Sequence, residues 1–302
     1  MVIDTPTDLR RRQSPGAAAL AHLLAPAIMV VAALFGGGLI LGFLQALGYF
    51  SAVGLEQVGL VYFGRVLIDP DFIRSLALTF YIAATSTAVA SAFSVVIALL
   101  LHHWANRSRT VHFVFQIPLT VPHLVIAIAV VFMFSPTGFL VRIPMRLGWI
   151  SPATPIPFLV NDRWGFGIML AYIWKEIPFI TLMLLSVLQH TGSGLLEVGK
   201  TLKAGPWQRF RYITLPILLP SLGAAGLIVF AYTFGAFEVP YLLGRTYPLM
   251  LPVWAYKNYS DVDLMARPEG IATAMIIAVV VIVAIWLSQW LLRVARRRGV
   301  VI

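Results

Sequence analysis

Two adjacent charges, Lys175 and Glu176, interrupt an otherwise apolar run over 164–189. Charged groups in such a run are costly in hydrocarbon and face protein or a water-filled cavity. Neighbouring helical residues point to different faces, so the ammonium and the carboxylate need separate partners. His123, which follows Pro122 in the run 111–135, and Glu238, just before Pro240 at the end of the run 212–238, complete the set. Counted from Trp164 at about 1.5 Å per residue, Lys175 and Glu176 lie about 17 Å down, near the bilayer midplane. Two roles fit such residues. They fix helix packing through interhelical polar contacts, or they line or gate a solute pathway. Both remain open for Lys175 and Glu176, while Glu238, near the outer end of its helix, either faces the pathway or lies in the outer interface. For His123 packing comes first, because one neutral imidazole can be satisfied locally.

Other chemistries lack their residues. The chain has no cysteine, which removes disulfides and thiolate–metal sites. No Gly-x-x-x-x-Gly-Lys-Ser/Thr loop is present to cradle a nucleotide's phosphates. No hydrolase triad or metal-ligand helix stands out, so catalytic residues, metals and cofactors are not expected in this chain. The pair His102-His103 has no acidic neighbour and reads as solvated. Trp254, Tyr256 and Tyr259 read as an interfacial aromatic belt before a ligand cage.

The elements that position these residues are membrane helices. Hydrophobic residues make up 60% of the 302-residue chain, charged residues 11%, and mean hydropathy is +0.88. A soluble domain of this size would need far more polar surface. Six runs are long and apolar enough to span a bilayer: 20–46, 73–101, 111–135, 164–189, 212–238 and 268–292. The first follows Arg10-Arg11-Arg12, exceeds a signal-peptide core in length, and reads as a retained helix. With the N-terminus inside, the inner segments carry thirteen cations against three acids, and the outer segments eight against seven. The net charge of +10 is thus an orientation signal, not a nucleic-acid surface. Both termini are expected in the cytoplasm, as a tail over 1–19 and a basic tail over 293–302. The segment 47–72, with the turn Asp69-Pro70-Asp71, is expected on the outer surface leading into the second helix. The segment 136–163, with Pro136, Pro144, Pro152, Pro155 and Pro157, is expected to be a structured outer cap or an irregular connection, not a strand.

A polar, basic segment lies inside between the fourth and fifth runs. Ser193 suits an N-cap for a short helix over 194–203 carrying Leu195, Leu196, Val198 and Leu202. Gly205 suits a stop, and Pro206 suits the first turn of a second short helix with Trp207, Arg209, Phe210 and Arg211. Such a loop either rests on anionic headgroups or docks in a groove on a soluble partner.

From Glu197 the segment runs to Ile213, Leu215 and Pro216 with the spacing of the EAA loop of ABC-transporter permeases, which it resembles. Ala204, Gly205, Pro206 and Gln208 also look like that family. Val198 and Gly199 stand in place of two alanines. Lys203 stands where the family usually has glycine, with Gly205 able to supply a flexible turn two residues later. Softer likenesses are Pro118-x-x-x-Pro122, Trp174-Lys-Glu-Ile-Pro178 and Phe237-Glu-Val-Pro-Tyr-Leu-Leu-Gly244. Residues about 75–290 are similar to the MetI-like transmembrane domain of type I importers. The resemblance implies an all-α permease core over 73–292, preceded by a first helix and outer loop over 20–72. It implies ATPase coupling through 193–211, with Glu197, Val198, Gly199, Leu202, Lys203, Ala204, Gly205, Pro206, Ile213, Leu215 and Pro216 as contact residues. Implied partners are a second permease, two ATPase subunits that alone hold ATP and magnesium, an extracytoplasmic solute-binding protein, and inner-membrane lipid. The Phe237–Gly244 motif looks like the spermidine/putrescine and ferric-iron branch. A polyamine-like solute is therefore the first expectation and a sugar or other small solute the second. A self-contained secondary transporter or channel is the alternative of a different class, and it predicts a dispensable 193–211 loop.

Overall fold

The computed structural model describes residues 17–104, 109–149 and 159–297. The expected tails at 1–16 and 298–302, Arg107, and Pro152, Pro155 and Pro157 lie outside the described residues. Among those described, the chain is helical apart from turns and one isolated antiparallel bridge between Phe50 and Leu55. Six stretches are long and apolar enough to cross a membrane: Leu20–Ala46, Pro70–His102, His123–Arg146, Phe166–His190, Pro206–Gly235 and Leu264–Trp290.

The first span is α1 (Ala17–Val31) and α2 (Gly37–Ala46), joined through one wide turn at Ala32–Gly36. After it, α3 (Val61–Ile68) leads to α4 (Pro70–Trp104). The third expected run contains two helices, α5 (Arg109–Thr120) and α6 (His123–Phe134), followed by the short α7 (Phe139–Arg146). Then come α8 (Phe166–Thr201), the one-turn α9 (Pro206–Arg209), a wide turn at Phe210–Thr214, and α10 (Leu215–Gly235). The chain closes with α11 (Glu238–Leu243), α12 (Leu251–Tyr259) and α13 (Arg267–Arg297).

The centre of the bundle is the mutual packing of α4, α8 and α10. Ala90, Ala98 and Ala225 are fully buried there beside Leu184 and Leu218. Small residues let helix backbones approach, which is how membrane helices gain van der Waals contact without a hydrophobic drive. Ser94 Oγ adds an interhelical hydrogen bond, donating to the Ile177 carbonyl at 3.0 Å. On one side α13 packs against α2, α3, α10 and α12. A Cβ at Gly270 would lie 2.6 Å from the Tyr259 amide nitrogen and 2.8 Å from the Ala255 carbonyl, so only glycine permits the α12–α13 crossing.

Four expected boundaries move. Helix 2 starts at Pro70, not 73, because Asp69 Oδ1 accepts the Asp71 N–H at 2.8 Å and proline suits a first turn. Helix 3 breaks at Val121-Pro122. Proline has no N–H for the Pro118 carbonyl, and its ring collides with that carbonyl. Helix 5 ends at Gly235, so Glu238 opens a separate helix instead of closing that one; Ala236 turns extended, with ψ 136°. Helix 4 does not stop near 189. It runs unbroken through Ser193, which is therefore not an N-cap, to Thr201.

Candidate functional site

The break in the third helix gathers the intramembrane charges. It strands the carbonyls that end α5, and Lys175 on α8 fills the gap. Its Nζ donates to Pro118 O at 2.7 Å, Leu119 O at 2.9 Å and Val121 O at 2.5 Å. An ammonium has three N–H groups, so all three are used. A cation at a helix C-terminus also complements the macrodipole. Lys175 is only 7% exposed. Depth alone makes it a pathway candidate, but its charge is turned away into the helix break.

Glu176 takes the other face. Its Oε1 lies 3.0 Å from His123 Nε2, at the first turn of α6. The neighbouring charges thus tie one helix to both halves of another: Lys175 holds α5 and Glu176 holds α6. The His123 ring centroid lies 4.5 Å from that of Tyr232 on α10 and 6.3 Å from that of Tyr172 on α8. Tyr172 is fully buried, yet its hydroxyl has no hydrogen-bond partner among the described residues. Glu238 is half-buried at the start of α11, which packs against α6 and α8. His123 and Glu176 therefore belong to one polar patch with two tyrosines, and α11 brings Glu238 to the helices that carry it. The sequence reading missed the tyrosines, although Tyr172 and Glu176 stand at the i,i+4 spacing that shares a helix face.

The aromatic trio does not assemble. Trp254 packs on Phe72, Tyr256 stacks on Phe237, and Tyr259 lies under the Arg267 guanidinium. Among the described residues no three His, Asp or Glu side chains converge as metal ligands.

The loop after α8 is built differently from two short helices. The 36-residue α8 is about 54 Å long, well beyond the roughly 30 Å of a hydrocarbon core. Its last turns therefore project past the membrane with Glu197, Val198 and Gly199 on them. The helix ends at a left-handed residue, and that residue is Lys203, with φ 54°. The Ala204 N–H reaches back to the Gly199 carbonyl at 3.0 Å, the bond expected of a Schellman ending with Lys203 at C′. Gly205 is extended, with φ −65° and ψ 163°, so it does not supply the flexible turn. Its N–H is held by Gln208 Oε1 at 2.9 Å, and Pro206 begins the next helix as expected.

That next helix continues through the wide turn into α10, so Pro206–Gly235 is one 30-residue rod. Ile213 is half-buried against α8, while Leu215 and Pro216 open α10 as half-buried residues. A Cβ at Gly199 would sit 2.8 Å from Ile213 Cδ1 and 3.3 Å from Arg209 Cγ, which brings the two rods into contact at this point. Beyond the contact Leu202 is 76% exposed and Trp207 71% exposed, with Val198 and Tyr212 also turned outward.

The sequence matches the family described as the binding-protein-dependent transport system inner membrane component over residues 105–298. The molybdenum transport system permease protein ModB of Azotobacter vinelandii is 25% identical over 212 residues, covering 68% of this chain and 88% of that protein. The trehalose/maltose transport system permease protein MalF of Thermococcus litoralis is 28% identical over 214 residues, covering 68% of this chain and 70% of that protein. In a solved bacterial alginate ABC transporter, bound to a periplasmic protein carrying an alginate pentasaccharide, one chain has the same fold. Its TM-score is 0.72 at 20% identity, over 92% of this chain and 94% of that one.

Proposed function

The chain belongs to the binding-protein-dependent ABC transporter permeases, and on that premise we propose that it forms half of a translocation path driven by a separate ATPase docked on the 197–216 segment. It is a non-catalytic, multi-pass inner-membrane component with an all-α, MetI-like fold. The observation that carries the proposal is the hairpin of α8 and the Pro206–Gly235 rod. Two membrane helices extend past the bilayer, touch at Gly199, and present exposed apolar side chains at their tips. A groove on a soluble partner would bury those side chains. Because the same helices enter the membrane without interruption, a push on the tips tilts them as rigid bodies.

The proposed assembly holds this chain, a second permease, an ATPase pair and an extracytoplasmic binding protein, with both termini of this chain cytoplasmic. Residues 73–292 act as the moving core, and 20–72 as a peripheral helix and outer connection. In the membrane, His123, Glu176 and Glu238 with Tyr232 form the polar patch proposed to face the path. Lys175 braces the broken helix. The relatives are named for molybdenum and trehalose/maltose transport, so they do not single out a polyamine, and Glu176 is already paired with His123. The reading best supported is an importer whose solute is chosen by its binding protein. The secondary-transporter reading loses its ground with family membership.

The test is Glu197→Lys, an exposed position on α8. Copurification of the ATPase and ATP-dependent uptake are expected to fall together. Unchanged assembly and uptake would remove the docking role.

A further inference from the structure

At the end of the bundle opposite the 197–216 segment, three arginines line one cavity of about 420 Å³. Arg74 comes from the first turns of α4, Arg163 from the turn before α8, and Arg245 from the chain just after α11. Leu78, Tyr81 and Trp164 supply apolar wall.

Arg74 is already engaged. It bonds Asp71 Oδ1 at 3.2 Å and the Tyr247 hydroxyl, which in turn donates to Asp71 at 2.6 Å. The other two have no carboxylate partner within ion-pair distance among the described residues. The acids outside those residues are Asp4 and Asp8. Asp162, next to Arg163, is spent on backbone. Its oxygens accept the N–H groups of Trp164 at 3.1 Å, Phe166 at 2.8 Å and Gly167 at 3.2 Å, at the start of α8. Arg163 instead lies over the Trp164 ring, 5.6 Å from its centroid. Arg245 is also under-bonded: its Nε is buried and has no acceptor among the described residues, which leaves the terminal N–H groups of its fork to face the cavity it lines. A buried guanidinium donor without a partner is unfavourable.

We infer that this cavity binds a phosphate-type oxyanion group, held by the Arg163 and Arg245 guanidinium forks, which match such groups with paired, charge-assisted hydrogen bonds. The anion is carried by an acidic phospholipid headgroup or arrives free in solution. Both sources offer the same chemistry. The apolar wall with Tyr81 and Trp164 suits the boundary between headgroup and acyl chain, where tyrosine and tryptophan are enriched. The site depends only on how α4, α8 and α11 meet, not on ATPase docking.

The experiment uses the full chain in phosphatidylcholine nanodiscs and reads the thermal unfolding midpoint against two probes. One is inorganic phosphate in solution, and the other is a graded fraction of phosphatidylglycerol in the disc. A ligand bound only by the folded state raises the midpoint saturably. A saturable rise is expected with at least one probe. Arg163 is exposed, so Arg163→Gln leaves the fold intact. It weakens the apparent affinity about tenfold, as does Arg245→Gln. Arg146→Gln, at an exposed arginine outside the cavity, leaves it unchanged. A rise with phosphate in neutral discs assigns the free anion. A rise with phosphatidylglycerol alone assigns the headgroup. No saturable rise with either probe, or a rise undiminished in Arg163→Gln, overturns the site.

Discussion

At position 203 a lysine holds a backbone conformation that costs an L-residue with a Cβ roughly 1–2 kcal/mol. The Schellman bond between Ala204 and Gly199 fixes that conformation, so the chain cannot relax elsewhere. Lys203→Gly is therefore expected to stabilise the purified protein by about 1 kcal/mol, seen as a midpoint rise of about 1–3 °C in thermal unfolding. Lys203→Val should shift it the other way, since a β-branched side chain tolerates φ > 0 worst. Lys175 makes the opposite case, a residue whose worth lies in what it satisfies. Lys175→Met leaves three carbonyls at the helix break without donors, and each such group costs about 1–3 kcal/mol. The expected result is a midpoint lower by several degrees and a poor yield of folded protein in detergent. The sequence exposed both positions, since a lysine stood where the resemblance to the EAA loop implies glycine and a charge stood at the midplane. Their consequences were hidden. A left-handed turn two residues before the available glycine, and three backbone carbonyls as partners, are properties of the folded chain that no residue pattern encodes.

The largest misreading at the scale of elements concerns the end of helix 4. The run Thr191-Gly192-Ser193-Gly194 looks like punctuation, yet the helix passes straight through it. Two helical glycines cost only about 1 kcal/mol each relative to alanine, less than ending one helix and nucleating another. The apolar residues on either side belong to a single rod, which makes α8 stiff enough to carry motion from its tip into the membrane. Gly194→Pro separates the two arrangements. In a helix capped by Ser193, proline would occupy the favoured first position. In the continuous α8 it removes a hydrogen bond and collides with the carbonyl four residues back, for about 3 kcal/mol or more. Loss of thermal stability and of ATPase copurification is the expected outcome; tolerance of the proline would restore the two-helix loop. The break in helix 3 was half legible. Pro122 announces a kink, but the complete separation of α5 from α6 becomes favourable only because Lys175 and Glu176 hold the two halves.

For the molecule as a whole, the six spans could be read from hydropathy because crossing hydrocarbon requires long apolar helices and little else. The cation placement proposes their sidedness, and their grouping around α4, α8 and α10 follows from small residues that meet only in the fold. The polar patch near the middle was visible as separate residues. Its tyrosines were not, because they are ordinary in sequence and acquire meaning only beside His123 and Glu176. In the proposed assembly an ATPase contacts the tips of two helices that run on into the membrane. The chain is free of cysteine, so a single thiol placed at the exposed Leu202 is unique in this subunit. The most direct measurement is site-specific cross-linking from Leu202→Cys, carrying a short photoactivatable group, in the assembled transporter. One dominant product joining this chain to the ATPase is expected, with a yield that changes on ATP addition. Cross-links to lipid or to this chain alone, with no ATPase product under either condition, would contradict it.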